Sequence, residues 1–167
     1  MTVVPRSAMT VEQILTVLRE TLDRLAALNA VATPAQLRAA PGPGEWSATE
    51  VLAHLRSCGD MWGQAIEAIV TEDHPTLRAV NPTTWIESTD YRELEFRSSL
   101  KAFTRQRARL LGVLESLSPD GWSRNAIVVG AGRPIERSVH HYADRLARHE
   151  RAHWKQVEKT VNAVVGS

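Results

Sequence analysis

The chain has 167 residues, of which 43% are hydrophobic, and this size and composition predict a single compact domain over residues 1–167. Its 20 Lys and Arg and 19 Asp and Glu leave a formal net charge of +1, with the two signs interspersed. These proportions exclude collagenous and wholly disordered chains. They also argue against a dedicated nucleic-acid-binding protein, because such proteins carry a clustered basic excess.

The single cysteine, Cys58, has no partner for an internal disulfide. This usage is typical of proteins in a reducing compartment. The first residues lack an apolar signal core, and no stretch approaches the ~18 apolar residues that a membrane helix requires. We therefore expect a cytoplasmic protein with no membrane partner.

The first half of the chain predicts two amphipathic helices, because apolar residues recur there at spacings of three and four. A capping box formed by Thr10 and Gln13 begins a helix over 10–29. A second capping box, which starts at Ser47, begins a helix over 47–72.

The second half predicts two more helices of the same amphipathic kind. Residues 73–89 form a long loop, after which Asp90 caps a helix that reaches Leu117. Residues 127–132 form a short extended piece with a flexible turn. The last helix begins near Pro134, which is a favourable first-turn residue.

Four helices with three connections predict an all-α fold, a four-helix bundle with its core over about 10–164. The connection between the second and third helices is long enough to cross the bundle. A simple up-down-up-down arrangement is therefore not the favoured prediction.

Histidines occupy the inward rows of two helices in positions that favour metal binding. His149 and His153 are four residues apart, so both rings can reach one divalent metal, and His54 on the second helix can supply a third imidazole. Neutral imidazoles suit zinc, nickel or iron, and three of them leave an open position. The alternative interpretation is polar packing at a helix interface. Cys58, one turn after His54, is either a thiolate ligand or a small core residue.

The other histidines predict less. His140 and His141 are adjacent and therefore point in different directions, so they are expected to face solvent or to support the ligands. His74 lies in a loop before Pro75 and is expected at the surface.

Residues 149–153 also match the H-E-x-x-H pattern of zinc peptidases, in which the glutamate is the general base. A third peptidase-type ligand does not occur in the short remainder of the chain. Because Glu150 precedes Arg151, we interpret it as part of a solvated helix face.

Three segments together resemble the DinB-like family. Residues 45–55 resemble the second-helix motif of these proteins, and residues 148–156 resemble their C-terminal helix, in which two histidines four apart precede a glutamine. Between these segments, the third-helix spacing is matched by Phe103, Arg107, Leu110, Leu111 and Leu114. The resemblance extends over nearly the whole chain from Val11 onward.

The resemblance implies a four-helix bundle in which a divalent metal, zinc or nickel, is held by three histidines, here His54, His149 and His153. Characterised relatives include thiol S-transferases that use bacillithiol, mycothiol or glutathione, and a mycothiol-dependent isomerase. Relatives are often dimers, which implies that this chain can form a homodimer.

The leading hypothesis is a metal-dependent low-molecular-weight thiol S-transferase, whose partners are a small-molecule thiol and an electrophile. Its pocket is predicted to be lined by Met61, Trp62, Arg107 and Tyr142. Arg107 would hold a substrate carboxylate, or would instead form an interhelical ion pair with Glu50 or another acid. The alternatives are a non-catalytic metal-binding or stress-related bundle and a metal-dependent hydrolase.

Overall fold

The computed structural model describes residues 6–166, and four long helices form its framework. These are α1 (Val11–Val31), α3 (Ala48–Thr71), α5 (Phe96–Glu115) and α7 (Val139–Val165). The shorter helices are α2 (Pro34–Arg38), α4 (Pro82–Glu87) and α6 (Pro119–Ser123), with one 3-10 turn at Tyr91–Glu93. Among residues 6–166, no helix is both long and apolar enough to cross a membrane.

The predicted capping boxes begin the first two long helices. The Thr10 hydroxyl accepts a hydrogen bond from the backbone N–H of Gln13, whose side chain in turn accepts one from the backbone of Thr10. Ser47 and Glu50 form the same reciprocal pair at the start of α3. Such pairs satisfy backbone donors that have no partner within the helix, so they fix the first residue of each helix.

The predicted starts of the third and fourth long helices are wrong. Asp90 forms no capping hydrogen bond with its side chain, and the chain makes a 3-10 turn and two extended residues before α5 begins at Phe96. Pro134 precedes a β-strand rather than a helix. α7 begins at Val139, after Ser138, whose hydroxyl accepts a hydrogen bond from the backbone N–H of His141. This helix starts later than predicted because the residues before Val139 are paired in a strand.

A three-stranded sheet flanks the bundle, in the order β1 (Thr76–Arg78), β2 (Asn125–Val129) and β3 (Ile135–Ser138). β1 pairs parallel with β2, and β2 pairs antiparallel with β3. The predicted extended piece over 127–132 thus contains part of β2 and the turn after it. In that turn Gly130 and Gly132 adopt φ values of 93° and 89°, which favour glycine.

Two apolar clusters fill the bundle, one toward each end. The first includes Ile14, Leu18, Ile66, Ile69, Leu114 and Leu146. The second includes Leu25, Leu28, Leu52, Phe103, Val157 and Val161. Along the chain, α1 and α7 run from the first cluster to the second, whereas α3 and α5 run from the second to the first.

These directions explain the length of the connection between α3 and α5. Two parallel helices must be joined by a segment that returns along the whole bundle, and residues 72–95 do so. The predicted crossover is therefore confirmed. In the resulting arrangement α7 packs against both α1 and α3, which places α3 and α7 side by side in opposite directions.

Candidate metal centre

Three histidines converge where α3 and α7 pack together. His54 lies about two turns after the start of α3, and His149 and His153 lie one turn apart on α7. Their candidate ligand atoms all lie within 4.8 Å of one another, and all three side chains are half-buried. The Nε2 atoms of His54 and His149 are 2.9 Å apart. The structure thus brings together the three residues singled out from the sequence, and their role as ligands stays a prediction.

Two tryptophan rings contact the histidine cluster, and the histidine rings also contact one another. The ring centroid of Trp46 lies 5.3 Å from that of His54, and the centroid of Trp62 lies 5.1 Å from that of His149 in an edge-on contact. The ring centroids of His149 and His153 are 4.4 Å apart. Trp46 and Trp62 therefore cover part of the imidazole surfaces, and the three histidines stay half-buried.

The environment keeps two of the imidazoles neutral at pH 7. Burial lowers the pKa of His54 to about 4, and the charge of His153 contributes to this lowering. Burial likewise lowers the pKa of His149 to about 3, with additional contributions from His153 and His54. A neutral imidazole has a free ring-nitrogen lone pair, which is the form that binds metals.

The third histidine is oriented by a neighbouring amide. The Nδ1 atom of His153 lies 2.8 Å from Oε1 of Gln156, so the ring donates its Nδ1 proton to that oxygen. This tautomer leaves Nε2 of His153 free to bind a metal, as in many metalloproteins whose ligand histidines are oriented by an outer hydrogen bond. The segment 148–156 contained this glutamine, but only the structure shows what it contacts.

Cys58 borders the cluster without belonging to it. Its Sγ lies 3.8 Å from Nε2 of both His54 and His149. Burial is the largest cause that raises the pKa of this thiol, to about 12. Cys58 is also buried and lies outside the group of residues that could hold one metal, which favours the small core residue over the thiolate ligand.

Glu150 is not on a solvated helix face, and that prediction is wrong. Its side chain is 0% exposed and forms a bidentate ion pair with Arg107, which is 1% exposed. The same carboxylate accepts a hydrogen bond from the hydroxyl of Thr21 at 3.0 Å. Successive residues of a helix point in different directions, so Glu150 enters the core while His149 faces α3.

Arg107 is consequently buried and does not line a pocket, contrary to the prediction. Besides Glu150, it donates a hydrogen bond to the backbone carbonyl of Leu18 at 3.0 Å. Of the two roles predicted for Arg107, the interhelical ion pair is confirmed, with Glu150 rather than Glu50 as the acid. Glu50 is instead part of the capping box of α3.

The other three predicted pocket residues, Met61, Trp62 and Tyr142, share one cavity of about 290 Å³ between the bundle and the sheet. His141 lines the same cavity. His140 instead contacts the backbone carbonyl of Met9 at 2.8 Å, and His74 is exposed as predicted.

A second cavity, of about 600 Å³, opens beside His153. Trp46 and Gln156 line it together with the last turns of α7. No sequence pattern reveals this cavity, because it is formed by the loop before α3 and a distant part of α7. The histidine cluster thus has a cavity next to it on the His153 side, and Trp62 separates His149 from the other cavity.

Comparison with known proteins identifies the family. The model of the DinB superfamily matches residues 13–157. The chain belongs to the DinB superfamily. Comparison with curated protein sequences gave no match.

Solved structures with the same fold include two four-helix bundles of similar length. YfiT from Bacillus subtilis, described as a probable metal-dependent hydrolase with an unusual four-helix bundle topology, has a TM-score of 0.78 at 19% identity, over 98% of this chain and 93% of that chain. The four-helix bundle protein TT2238 has a TM-score of 0.63 at 21% identity, over 90% of this chain and 99% of that chain.

A third structure belongs to a longer enzyme. The mycothiol-dependent maleylpyruvate isomerase has a TM-score of 0.68 at 15% identity, over 89% of this chain and 61% of that chain. At these identities the likeness establishes the four-helix bundle fold of this DinB superfamily member.

Proposed function

We propose that this protein is a metal-dependent enzyme whose divalent metal, zinc or nickel, is held by His54, His149 and His153. The donor set fits such an ion, because three imidazoles with ligand atoms within 4.8 Å of one another suit borderline metals. A divalent metal bound here would act as a Lewis acid that lowers the pKa of a coordinated thiol or water.

Among metal-dependent reactions, we propose transfer of a low-molecular-weight thiol to an electrophile. The observation that carries this choice is the burial of Glu150 in its ion pair with Arg107. Peptidase-type hydrolysis needs a free carboxylate to take a proton from water, and the glutamate of the H-E-x-x-H pattern is engaged elsewhere. A thiol is deprotonated more readily than water without a general base, because its ordinary pKa is already about 8.5.

The proposed reaction balances without an added oxidant or reductant. A bond forms between the thiol sulfur and the electrophilic atom, and the bond from that atom to its leaving group breaks. The thiol proton ends on the leaving group or in solvent. The residues of this chain position the reactants, since Trp46 and Gln156 form walls of the cavity beside His153.

Hydrolysis is the second candidate, and the similarity to YfiT favours it. It would proceed without Glu150 as the base. The two reactions differ in one simple respect, because hydrolysis requires no thiol.

The test combines metal content with turnover. We expect about one equivalent of transition metal by elemental mass spectrometry on untagged protein, and its loss in His54→Ala and His149→Ala. His74→Ala is the matched control, because His74 is exposed and does not belong to the cluster. Metal retained at full stoichiometry in both cluster variants would contradict the proposed ligands.

Turnover then separates the reaction classes. A panel of thiols, including glutathione, is assayed with 1-chloro-2,4-dinitrobenzene and other electrophiles. Thiol-dependent product that disappears in His149→Ala supports the transferase. Product formed without thiol from ester or amide substrates supports the hydrolase, and a metal-loaded protein with neither activity supports the non-catalytic bundle.

We also propose a cytoplasmic location. The unpaired, buried Cys58 supports it, since a protein with no disulfide gains nothing from an oxidising compartment.

A further inference from the structure

The cavity between the bundle and the sheet combines positive charge with apolar surface. Three arginines line it, one from each of β1, β3 and α7: Arg78, Arg137 and Arg145. Among the residues that the structure describes, no acidic side chain lines this cavity. Within residues 6–166, none of the three guanidinium groups forms a hydrogen bond or an ion pair.

The neighbouring acid on α7 is engaged elsewhere. Asp144 is close enough to raise the pKa of His141, but its carboxylate accepts hydrogen bonds from Arg148 at 2.9 Å and from the backbone of Met9 at 2.8 Å. Its charge is therefore already compensated. The cavity keeps a net positive character from its own lining.

The positive potential reaches the side chains inside the cavity. Burial is the main cause that lowers the pKa of His141, and the charges of Arg137 and Arg145 lower it further. The same two charges lower the pKa of Tyr142 against the larger effect of burial, which raises it. Low-dielectric walls strengthen such potentials, so an anion is attracted into the cavity.

The remaining walls are apolar. Met61, Trp62 and Tyr142 form the side toward the bundle, and Val80 and Ile135, which are 47% and 44% exposed, lie toward solvent. A volume of about 290 Å³ accommodates a body of about one ring rather than a nucleotide cofactor.

We infer that this cavity binds an organic acid, with its carboxylate on Arg78, Arg137 and Arg145 and its apolar body against Trp62 and Met61. Guanidinium groups bind carboxylates through paired, charge-assisted hydrogen bonds, and the aromatic wall contacts the rest of the molecule.

The position of Trp62 connects this cavity to the histidines. Trp62 lines the cavity, its ring contacts His149 in an edge-on arrangement, and Arg145 lies 5.3 Å from the ring centroid. An organic acid in the cavity would thus lie one aromatic ring away from the candidate metal centre. The inference rests on the proposed function only in naming the organic acid as a co-substrate, because binding itself requires no metal.

The test is a calorimetric titration of the full-length protein with phenylacetate at pH 7.5. Phenylacetamide, which has the same ring and no charge, is the ligand control. We expect phenylacetate to bind and phenylacetamide to bind at least tenfold more weakly. Equal affinities for the two compounds, or no binding of either, would overturn the inference.

Variants then locate the site. Arg78→Gln and Arg137→Gln are each expected to weaken phenylacetate binding about tenfold, the size expected for loss of a charged hydrogen bond. Arg105→Gln is the matched control, because Arg105 is exposed on α5 and does not line the cavity. Unchanged affinity in both cavity variants, with unchanged thermal unfolding, would overturn the inference.

Two further arms identify the source of the carboxylate and separate the two proposals. Displacement of phenylacetate by glutathione assigns the cavity to the thiol co-substrate, whereas no displacement assigns it to the electrophile; both outcomes support a carboxylate site.

Titration of folded His54→Ala with phenylacetate is expected to give unchanged affinity, and lost binding there would overturn a site that is independent of the metal. Phenylacetate binding by a wild-type protein that holds no metal would leave this inference standing while the proposed function fails.

Discussion

Glu150 and His149 are neighbours on α7, and they differ in how many of their side-chain polar atoms have hydrogen-bond partners. In the interior, both carboxylate oxygens of Glu150 accept hydrogen bonds, from Arg107 and Thr21. At the α3–α7 surface, His149 has a buried Nδ1 with no hydrogen-bond partner among the described residues. A fully engaged group stabilises one arrangement of the helices, whereas Nε2 of His149 faces Nε2 of His54 at 2.9 Å, the position from which both would bind the proposed metal. It follows that Glu150 is structural although it is the immediate neighbour of a candidate ligand.

The interior pair gives the largest expected effect. Arg107→Met leaves the Glu150 carboxylate buried without its partner, and we expect a loss of about 3–5 kcal/mol in the free energy of unfolding. Urea denaturation followed by circular dichroism measures it. The matched control is Arg109→Met on the same helix, because the Arg109–Glu67 pair is exposed and is worth about 0–1 kcal/mol. Equal losses in the two variants would contradict a structural role for the interior pair.

Metal removal tests the histidine cluster through its effect on the free energy of unfolding. A ligand that binds only the folded protein stabilises it by about 2.7 kcal/mol at a concentration 100 times its Kd. We therefore expect a chelator to lower the unfolding midpoint of the metal-loaded protein and to leave His54→Ala unchanged. A chelator effect that persists in His54→Ala would show that the stabilising ion binds elsewhere.

The amide that orients His153 gives a smaller effect. Gln156→Ala removes the hydrogen bond to Nδ1, and we expect metal affinity to fall about 10–100-fold, as for other partners of ligand histidines. Competition with a chromophoric chelator measures the affinity. Gln64→Ala on the exposed face of α3 is the control. Unchanged affinity in Gln156→Ala would show that His153 binds through Nδ1 or does not bind.

A further effect concerns the pH dependence of stability in the metal-free protein. Burial holds the pKa values of His54 and His149 below 6.5, so the unfolded chain binds more protons than the folded one as pH falls below 6.5. The contribution of these histidines to the free energy of unfolding should therefore be greatest above pH 6.5. It should decrease as the pH is lowered toward about 4. The double variant His54→Ala, His149→Ala should lose this part of the pH dependence. An identical profile in the variant would indicate that these imidazoles are not buried in solution.

Local signals predict much of this fold because they act over a few residues. The capping boxes at Thr10 and Ser47 fix the starts of α1 and α3, and the spacing of four places His149 and His153 on one face. The start of α5 is less predictable, because Asp90 has the chemistry of a cap but lies before a 3-10 turn. The strand β3 could not be predicted, because its pairing with β2 depends on a turn that the hydrophobic pattern does not reveal.

The amino-acid order alone was therefore enough to predict the helical periodicity, the crossover and the three histidines of the candidate centre. The partners of side chains from distant segments depend on how the helices and strands pack. Packing placed Glu150 against Arg107 rather than in solvent, and it gathered Arg78, Arg137 and Arg145 around one cavity. The physical reason is that periodicity specifies which face of a helix is buried, whereas the contacts of a buried charge depend on which other helix meets that face.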